Sequence, residues 1–258
     1  MILAILQVRT SSSRLPNKVL LPVLDKPMLI RQIERIKKSK LIDKLVVATS
    51  IDISDNPIEK LCIDNHIEYF RGSLNDVLER FYDCAQKYKP EHIVRLTGDC
   101  PVIDPEILDK TIEYHLNNDF DYTSNGYEPV FPDGLDVEAF KYECLTKAQK
   151  EASLPSHREH VTQFIHTQKD IYKLGNYKET KNLSHLRWTV DEPEDFILIT
   201  KIYEELYPQN PDFKMQDILD LLDKKPELTQ INSKFERNEG LKKSIDKDKE
   251  FLKNKNVQ

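Results

Sequence analysis

"ILAILQVRTSSSRLPNKVL", residues 2–20, carries the reading that decides the fold. Ile2 to Val8 is apolar except for Gln7, the pattern of a central strand covered on both faces. Arg9 to Lys18 then turns polar and holds Arg9, Arg14 and Lys18 without one acidic side chain. Further on, Met28, Leu29, Ile33 and Ile36 recur at helical spacing, and Lys44 to Ser50 reads as a second strand. That is one βαβ unit. The alternation continues with a helix near 58–65, a strand at 67–70, a helix over 75–88 and a strand at 92–97. Ser73 and Asp76 read as a capping box for the helix over 75–88, and Asp104 with Pro105 opens another helix that runs to about Asn118. Such alternation predicts an α/β fold with a mostly parallel, doubly wound sheet, which binds ligands at the carboxyl ends of its strands.

The chain has 258 residues and a net charge of −6, so a broad nucleic-acid surface is excluded while a local cationic pocket is not. Cys62, Cys84, Cys100 and Cys144 are widely spaced, which suits reduced thiols and a cytoplasmic protein. The first apolar run is too short to span a bilayer, and no membrane partner is expected. One nucleotide-binding body is expected over 1–232, with a looser insertion at about 121–180 that forms an acceptor or dimer region. Within it, two helices are expected near 142–152 and 156–168, then strands near 171–176 and 186–190 and a helix over 193–206. Exposed apolar side chains from Asp121 to Phe140 are the expected contact of a homodimer. Residues 233–258 are rich in Lys, Glu, Asp and Asn and read as a solvated helical tail.

Four stretches carry chemistry. The Arg9–Lys18 loop has no glycine, so it is neither a Walker A loop nor GxGxxG, yet its cations with Ser11, Ser12 and Ser13 suit a polyphosphate. An ordinary basic turn has the same composition. "VRLTGDCPVIDP", residues 94–105, ends a strand in Gly98 and Asp99, where a carboxylate meets the loop and can take Mg²⁺, or can merely cap a turn. "LRWTVDEPEDF", residues 186–196, places Asp191 before a helix, either as a second cation ligand or as a cap through Asp191-x-x-Glu194. "FPDGLDVEAF" with "SHREHVTQF" supplies Asp136 and Glu138 on one strand face and Arg158, Glu159 and His160 nearby, polar groups suited to a sugar and its carboxylate. The HxxH within the last word has no third ligand in register and is a weak zinc signal.

Taken together, "RTSSSRLPNKVL", "RGSLNDVLERF", "RLTGDCPVIDP", "FPDGLDVEAF", "REHVTQF" and "RWTVDEPEDF" resemble the cytidylyltransferase family of CMP-ketodeoxyoctonate synthetases, and more closely the spore-coat polysaccharide SpsF-type proteins. The words span Arg9 to Phe196, and the chain after about Pro226 carries none of them. The resemblance implies a nucleotide-diphospho-sugar transferase (GT-A-like) fold. It also implies transfer of CMP from CTP to an acidic sugar or small acid, with pyrophosphate released and Mg²⁺ as cofactor, for surface polysaccharide synthesis. Carried over, Arg14, Lys18 and Asp99 are catalytic, and Asp99 and Asp191 hold the metal. Arg9, Ser11, Ser12, Ser13, Arg14, Lys18, Arg71, Ser73, Asp76 and Gly98 bind nucleotide. Asp136, Glu138, Arg158 and His160 are assigned to the acceptor. The ketodeoxyoctonate enzymes have a GDEP-like word where this chain has Gly98-Asp99-Cys100-Pro101, a form that resembles the SpsF-type branch. A glycosyltransferase of the same fold, which often shows Asp-x-Asp at this place, and a non-catalytic nucleotide- or sugar-binding module are the competing readings.

Overall fold

A computed structural model describes residues 1–237 and 239–255. In chain order the elements are β1 (Ile2–Gln7), a small hairpin of β2 (Pro22–Val23) and β3 (Lys26–Pro27), α1 (Met28–Ile36), β4 (Lys44–Ser50), α2 (Asn56–Asp64), β5 (Tyr69–Gly72), α3 (Val77–Tyr88), β6 (His92–Thr97) and α4 (Pro105–Asn117). There follow β7 (Tyr122–Ser124), β8 (Glu138–Lys141), α5 (Tyr142–Glu151), α6 (Pro155–Glu159), α7 (Gln163–His166), β9 (Leu174–Asn176), α8 (Pro193–Leu206), α9 (Met215–Lys224) and α10 (Glu239–Lys255). The main sheet has the order β5-β4-β1-β6-β8-β7-β9. Strands β5, β4, β1 and β6 run parallel, whereas β8 is antiparallel to both its neighbours.

The apolar run of β1 is explained by a core on each side. Ala4 and Leu6 pack with α1, α2, α4, α8 and α9, while Leu3 and Ile5 pack with α3 and α5. From β1 the chain crosses to β4 and β5 on one side, then returns to β6 on the other. The direction of winding therefore reverses between β1 and β6, the place where such sheets open a crevice at their carboxyl ends. Gly98 is required there: its N–H donates to the Gln7 carbonyl at 2.9 Å, and a Cβ would stand 2.4 Å from Val8 Cγ1.

The helices and the parallel strands follow the sequence pattern, and five expectations change. Residues 186–190 form no strand; they cross the strand ends, with Trp188 N–H donating to the Asp133 carbonyl at 2.6 Å and Val190 N–H to the Asp99 carbonyl at 2.8 Å. The helix expected over 156–168 is split into α6 and α7 around Val161, whose φ of 55° no helix accommodates. Ser73 and Asp76 act in series rather than as a box: Ser73 Oγ accepts from Asp76 N–H, and Asp76 itself caps α3 by accepting from Glu79 N–H. In the 121–140 region Tyr122, Phe131, Leu135, Val137, Ala139 and Phe140 are core residues, which removes the exposed apolar surface expected of a dimer contact. The charged C-terminal stretch is not simply solvated, because α10 buries Ser244 and Asp248 against α6, where Asp248 accepts from Ser156 N–H at 2.8 Å.

Candidate active site

Two adjoining cavities open at the carboxyl edge of the sheet. The smaller, about 270 Å³, is walled by Arg9, Ser11, Ser12, Ser13, Arg14 and Lys18 with Gly98, Asp99 and Asp191. The larger, about 600 Å³, shares Arg9, Arg14, Asp99 and Asp191 and continues past Asp136, Glu138 and His160. Their joint size suits a small-molecule substrate pair.

The basic loop is held at its root by a residue that the sequence reading passed over. Asp55 is fully buried and accepts from Thr10 N–H and Oγ1, both at 2.8 Å, and from Ser50 N–H at 3.1 Å. Burial alone raises a carboxyl's pKa, yet the Ser50 and Thr10 donors hold Asp55 below the ordinary value. The run "TSIDISD" offered Ser50 and Asp55, although nothing local tied them to Thr10.

Lys18 is the hub of the smaller cavity. Its Nζ donates to the Val190 carbonyl at 2.7 Å and to Asp191 Oδ1 at 2.8 Å, and lies 3.6 Å from Asp99 Oδ2. Burial opposes its charge, and Asp99 and Asp191 more than restore it, so the ammonium pKa is raised. Arg14 pairs with Asp191 at 2.8 Å and Glu192 at 3.3 Å. Asp99 accepts from Thr97 Oγ1 at 2.5 Å and lies 3.4 Å from the Cys100 thiol. Burial pushes the Asp99 carboxyl up, but Lys18 and these donors bring it below the ordinary value. Cys100 takes the place of the acidic neighbour, and burial beside Asp99 keeps it a thiol, its pKa well above the ordinary value.

Asp191 is not the cap of α8. That role falls to Glu192 in a reciprocal box with Asp195, whose carboxylate accepts from Asp191 N–H and Glu192 N–H, both at 2.9 Å, and leaves the Asp191 carboxylate facing Lys18 and Arg14. Carboxylate oxygens of both Asp99 and Asp191 thus lie within 3.6 Å of one cationic nitrogen. Two such oxygens, completed by phosphate and water, fit the donor set of Mg²⁺. Among the described residues no group of three or more His, Cys, Asp or Glu is gathered for a metal.

In the larger cavity Glu138 is ion-paired with Arg95 and accepts from Tyr122 Oη at 2.6 Å and Thr162 Oγ1 at 2.5 Å. His160 meets Ser244 Oγ at 2.9 Å, and burial lowers its pKa to about 4. Arg187 forks onto buried Asp195 with two 2.9 Å bonds and reaches Asp133 at 3.3 Å. Burial, then the neighbouring Asp136, raises the Asp133 carboxyl to about 7. Gly134 makes the turn behind it at φ 107°, where a Cβ would meet the Trp188 and Thr189 backbone at 2.5 Å. Arg95, Asp133 and Arg187 were not singled out from sequence, although all three lie within quoted words.

Four expected site residues are engaged elsewhere. Arg71 laces the loop after β4 through the Ser50 and Asp52 carbonyls and Glu59. Ser73 and Asp76 serve the start of α3. Arg158 is paired with Asp76, 2.5 Å from Nη2, so it does not face the acceptor side. None of these four lines either cavity.

Fold and site together define a nucleotidyltransferase of the nucleotide-diphospho-sugar transferase fold. Residues 3–246 match the family model described as Cytidylyltransferase, and the chain belongs to that family. The match runs past Pro226 into the charged C-terminal stretch. An uncharacterized protein of Methanocaldococcus jannaschii is 40% identical over 90% of this chain and 94% of its own length. The spore coat polysaccharide biosynthesis protein SpsF of Bacillus subtilis is 34% identical over 88% and 95%. Among solved structures, a cytidylyltransferase from Leptospira borgpetersenii superposes with a TM-score of 0.83 at 31% identity, covering 91% of this chain and 98% of that one. CMP:2-keto-3-deoxy-manno-octonic acid synthetase complexed with CTP shares the fold, with a TM-score of 0.60 at 16% identity over 80% and 99% of the two chains. No helix among the described residues is long and apolar enough to cross a membrane.

Proposed function

We propose that this enzyme moves CMP from CTP to a hydroxyl of an acidic sugar, of the 2-keto-3-deoxy type, with release of pyrophosphate, in the synthesis of a surface polysaccharide. The observation that carries the reading is the convergence of Arg14 and Lys18 with Asp99 and Asp191 where two cavities meet. The smaller cavity suits the triphosphate and the larger one the acceptor. The kinship with SpsF and the fold shared with a synthetase seen with CTP support both halves of the reading.

The acceptor oxygen attacks the α-phosphorus in line, the bond to the β-phosphate oxygen breaks, and the hydroxyl proton leaves to solvent. Lys18 and Arg14, now paired with carboxylates, exchange those partners for phosphate oxygens and stabilise the departing pyrophosphate. Mg²⁺, held by Asp99 and Asp191, would supply charge neutralisation and lower the pKa of the attacking hydroxyl. Transfers of this kind depend on alignment and charge more than on covalent help.

Asp99→Asn tests the assignment. Loss of one preorganised charge contact typically costs ~10²–10³ in rate, with the fold retained. An Asp99→Asn enzyme that keeps full, Mg²⁺-dependent pyrophosphate release ends the reading of Asp99 as a metal ligand.

A further inference from the structure

Asp99 is fixed twice, through its backbone and through one of its two carboxylate oxygens. Its carbonyl accepts from Val190 N–H at 2.8 Å and from Thr189 Oγ1 at 3.2 Å, which ties it to the segment that carries Asp191. The chain just before it is held as firmly, because the fully buried Gln32 side chain donates to the Thr97 carbonyl at 2.7 Å. On the side chain, Thr97 Oγ1 donates to Asp99 Oδ1 at 2.5 Å, and the Cys100 thiol reaches the same oxygen at 3.4 Å. Oδ2 is left facing Lys18 Nζ at 3.6 Å. Thr97 and Cys100 both line the larger cavity beside Asp99, and Thr97 borders the smaller one too, so this pair of donors stands where the proposed cation would bind.

The division of labour between the two oxygens limits which cation the site can hold. A carboxylate whose Oδ1 already accepts from a hydroxyl and a thiol offers a cation one oxygen, whereas a free carboxylate can chelate through both. Asp191 does not make up the difference, since its Oδ1 accepts from Lys18 and its Oδ2 is paired with Arg14. Mg²⁺ is small, demands a near-ideal octahedron and completes it with water and phosphate around one or two carboxylates. Ca²⁺ is larger, takes about six to eight oxygens and readily engages both oxygens of a carboxylate. Asp99 held through Oδ1 therefore suits the smaller cation and leaves the larger one short of ligands. Cys100 contributes to the same end: its thiol is a weak donor to Oδ1, where an acidic side chain would repel that oxygen.

We propose that Thr97 is a positioning residue that, with Cys100, holds Asp99 as a one-oxygen ligand and so selects Mg²⁺ over Ca²⁺. The inference rests on the reading of Asp99 as a metal ligand. Its test follows the melting midpoint of full-length wild type, Thr97→Val and Thr97→Ser in a fixed excess of CTP without acceptor, as Mg²⁺ or Ca²⁺ is titrated. The fixed CTP makes the equilibrium between cation and nucleotide common to all three proteins. Wild type is half-saturated at lower Mg²⁺ than Ca²⁺. Loss of a partner that orients a metal ligand costs about 10–100-fold in affinity, so half-saturating Mg²⁺ rises by that factor in Thr97→Val, half-saturating Ca²⁺ rises less or falls, and Thr97→Ser returns both toward wild type. The CTP-induced shift without cation stays the same in all three, and pyrophosphate release by Thr97→Val recovers at high Mg²⁺. A merely structural Thr97 weakens the cation-free CTP shift as well, or weakens both cations alike. Either result, an unchanged half-saturation, or a wild type without preference for Mg²⁺ overturns the inference and leaves the enzyme's reaction intact. Asp99→Asn in the same titration separates the two readings: a wild-type half-saturation by Mg²⁺ there ends the metal assignment of Asp99 and this inference with it.

Discussion

Lys18→Met removes one ammonium from a nearly isosteric side chain and isolates what the hub does. In the native protein Nζ satisfies the Val190 carbonyl and neutralises Asp191 at 2.8 Å and Asp99 at 3.6 Å. Its removal leaves two carboxylates facing each other. Breaking a fully buried pair costs about 3–5 kcal/mol, but here the Asp99 and Asp191 side chains are 26% and 22% exposed and Asp191 keeps Arg14. A loss of about 2 kcal/mol follows, which lowers the melting midpoint of a chain this size by roughly 4–8 °C. Turnover falls by ~10²–10³, since the same charge faces the phosphates. Mg²⁺ provides the decisive arm: in wild type the cation competes with Lys18 for the carboxylates, whereas in the variant it meets them uncompensated. Added Mg²⁺ without nucleotide should raise the melting point of Lys18→Met more than that of wild type. A variant that melts early and gains nothing from Mg²⁺ refutes the two-carboxylate cation site, and one that melts and turns over like wild type refutes the hub.

Asp191→Asn should cut turnover ~10²–10³ and leave the start of α8 intact, because Glu192 with Asp195 and not Asp191 caps that helix, so that the stability lost, about 1–2 kcal/mol, comes from the broken pairs with Lys18 and Arg14; kinetics and melting measured together decide it. Asp55→Ala leaves the Thr10 and Ser50 donors unpaired, each worth about 1–3 kcal/mol, so chemical denaturation should show a loss of that order and the CTP KM should rise as the loop loosens. His115 is buried, and burial followed by the neighbouring His92 lowers its pKa to about 4. The folded state therefore keeps it neutral while the unfolded chain protonates near 6.5. Its stabilisation is present above pH 6.5 and lost as pH falls toward 4, at up to about 1.4 kcal/mol per pH unit. Melting points over that window should fall less steeply for His115→Gln, and an unchanged slope removes His115 from the account.

Hydrophobic periodicity is a local property of the chain, so the sequence by itself determined the buried run of β1, the helices that follow and the loops after Val8 and Thr97 at one edge of a mostly parallel sheet. The strand order and its reversal between β1 and β6 were decided by the tertiary structure. Arg14, Lys18, Asp99 and Asp191 became legible as a set through the resemblance of the words that hold them to the cytidylyltransferase family. Which charges face one another was decided by the tertiary structure. Lys18 and Asp191 are 173 positions apart, and Asp191 could be told from a helix cap only once Glu192 and Asp195 were seen to close the start of α8 between them. Arg158, read as a substrate group, and Asp76, assigned to the nucleotide by resemblance, neutralise each other 82 positions apart. Arg237, in a stretch that composition assigned to solvent, is carried to Asp136 across 101 positions. A side chain's type fixes the charge it can offer; the distance and burial of its partner fix whether that charge is spent on the fold or kept for a substrate.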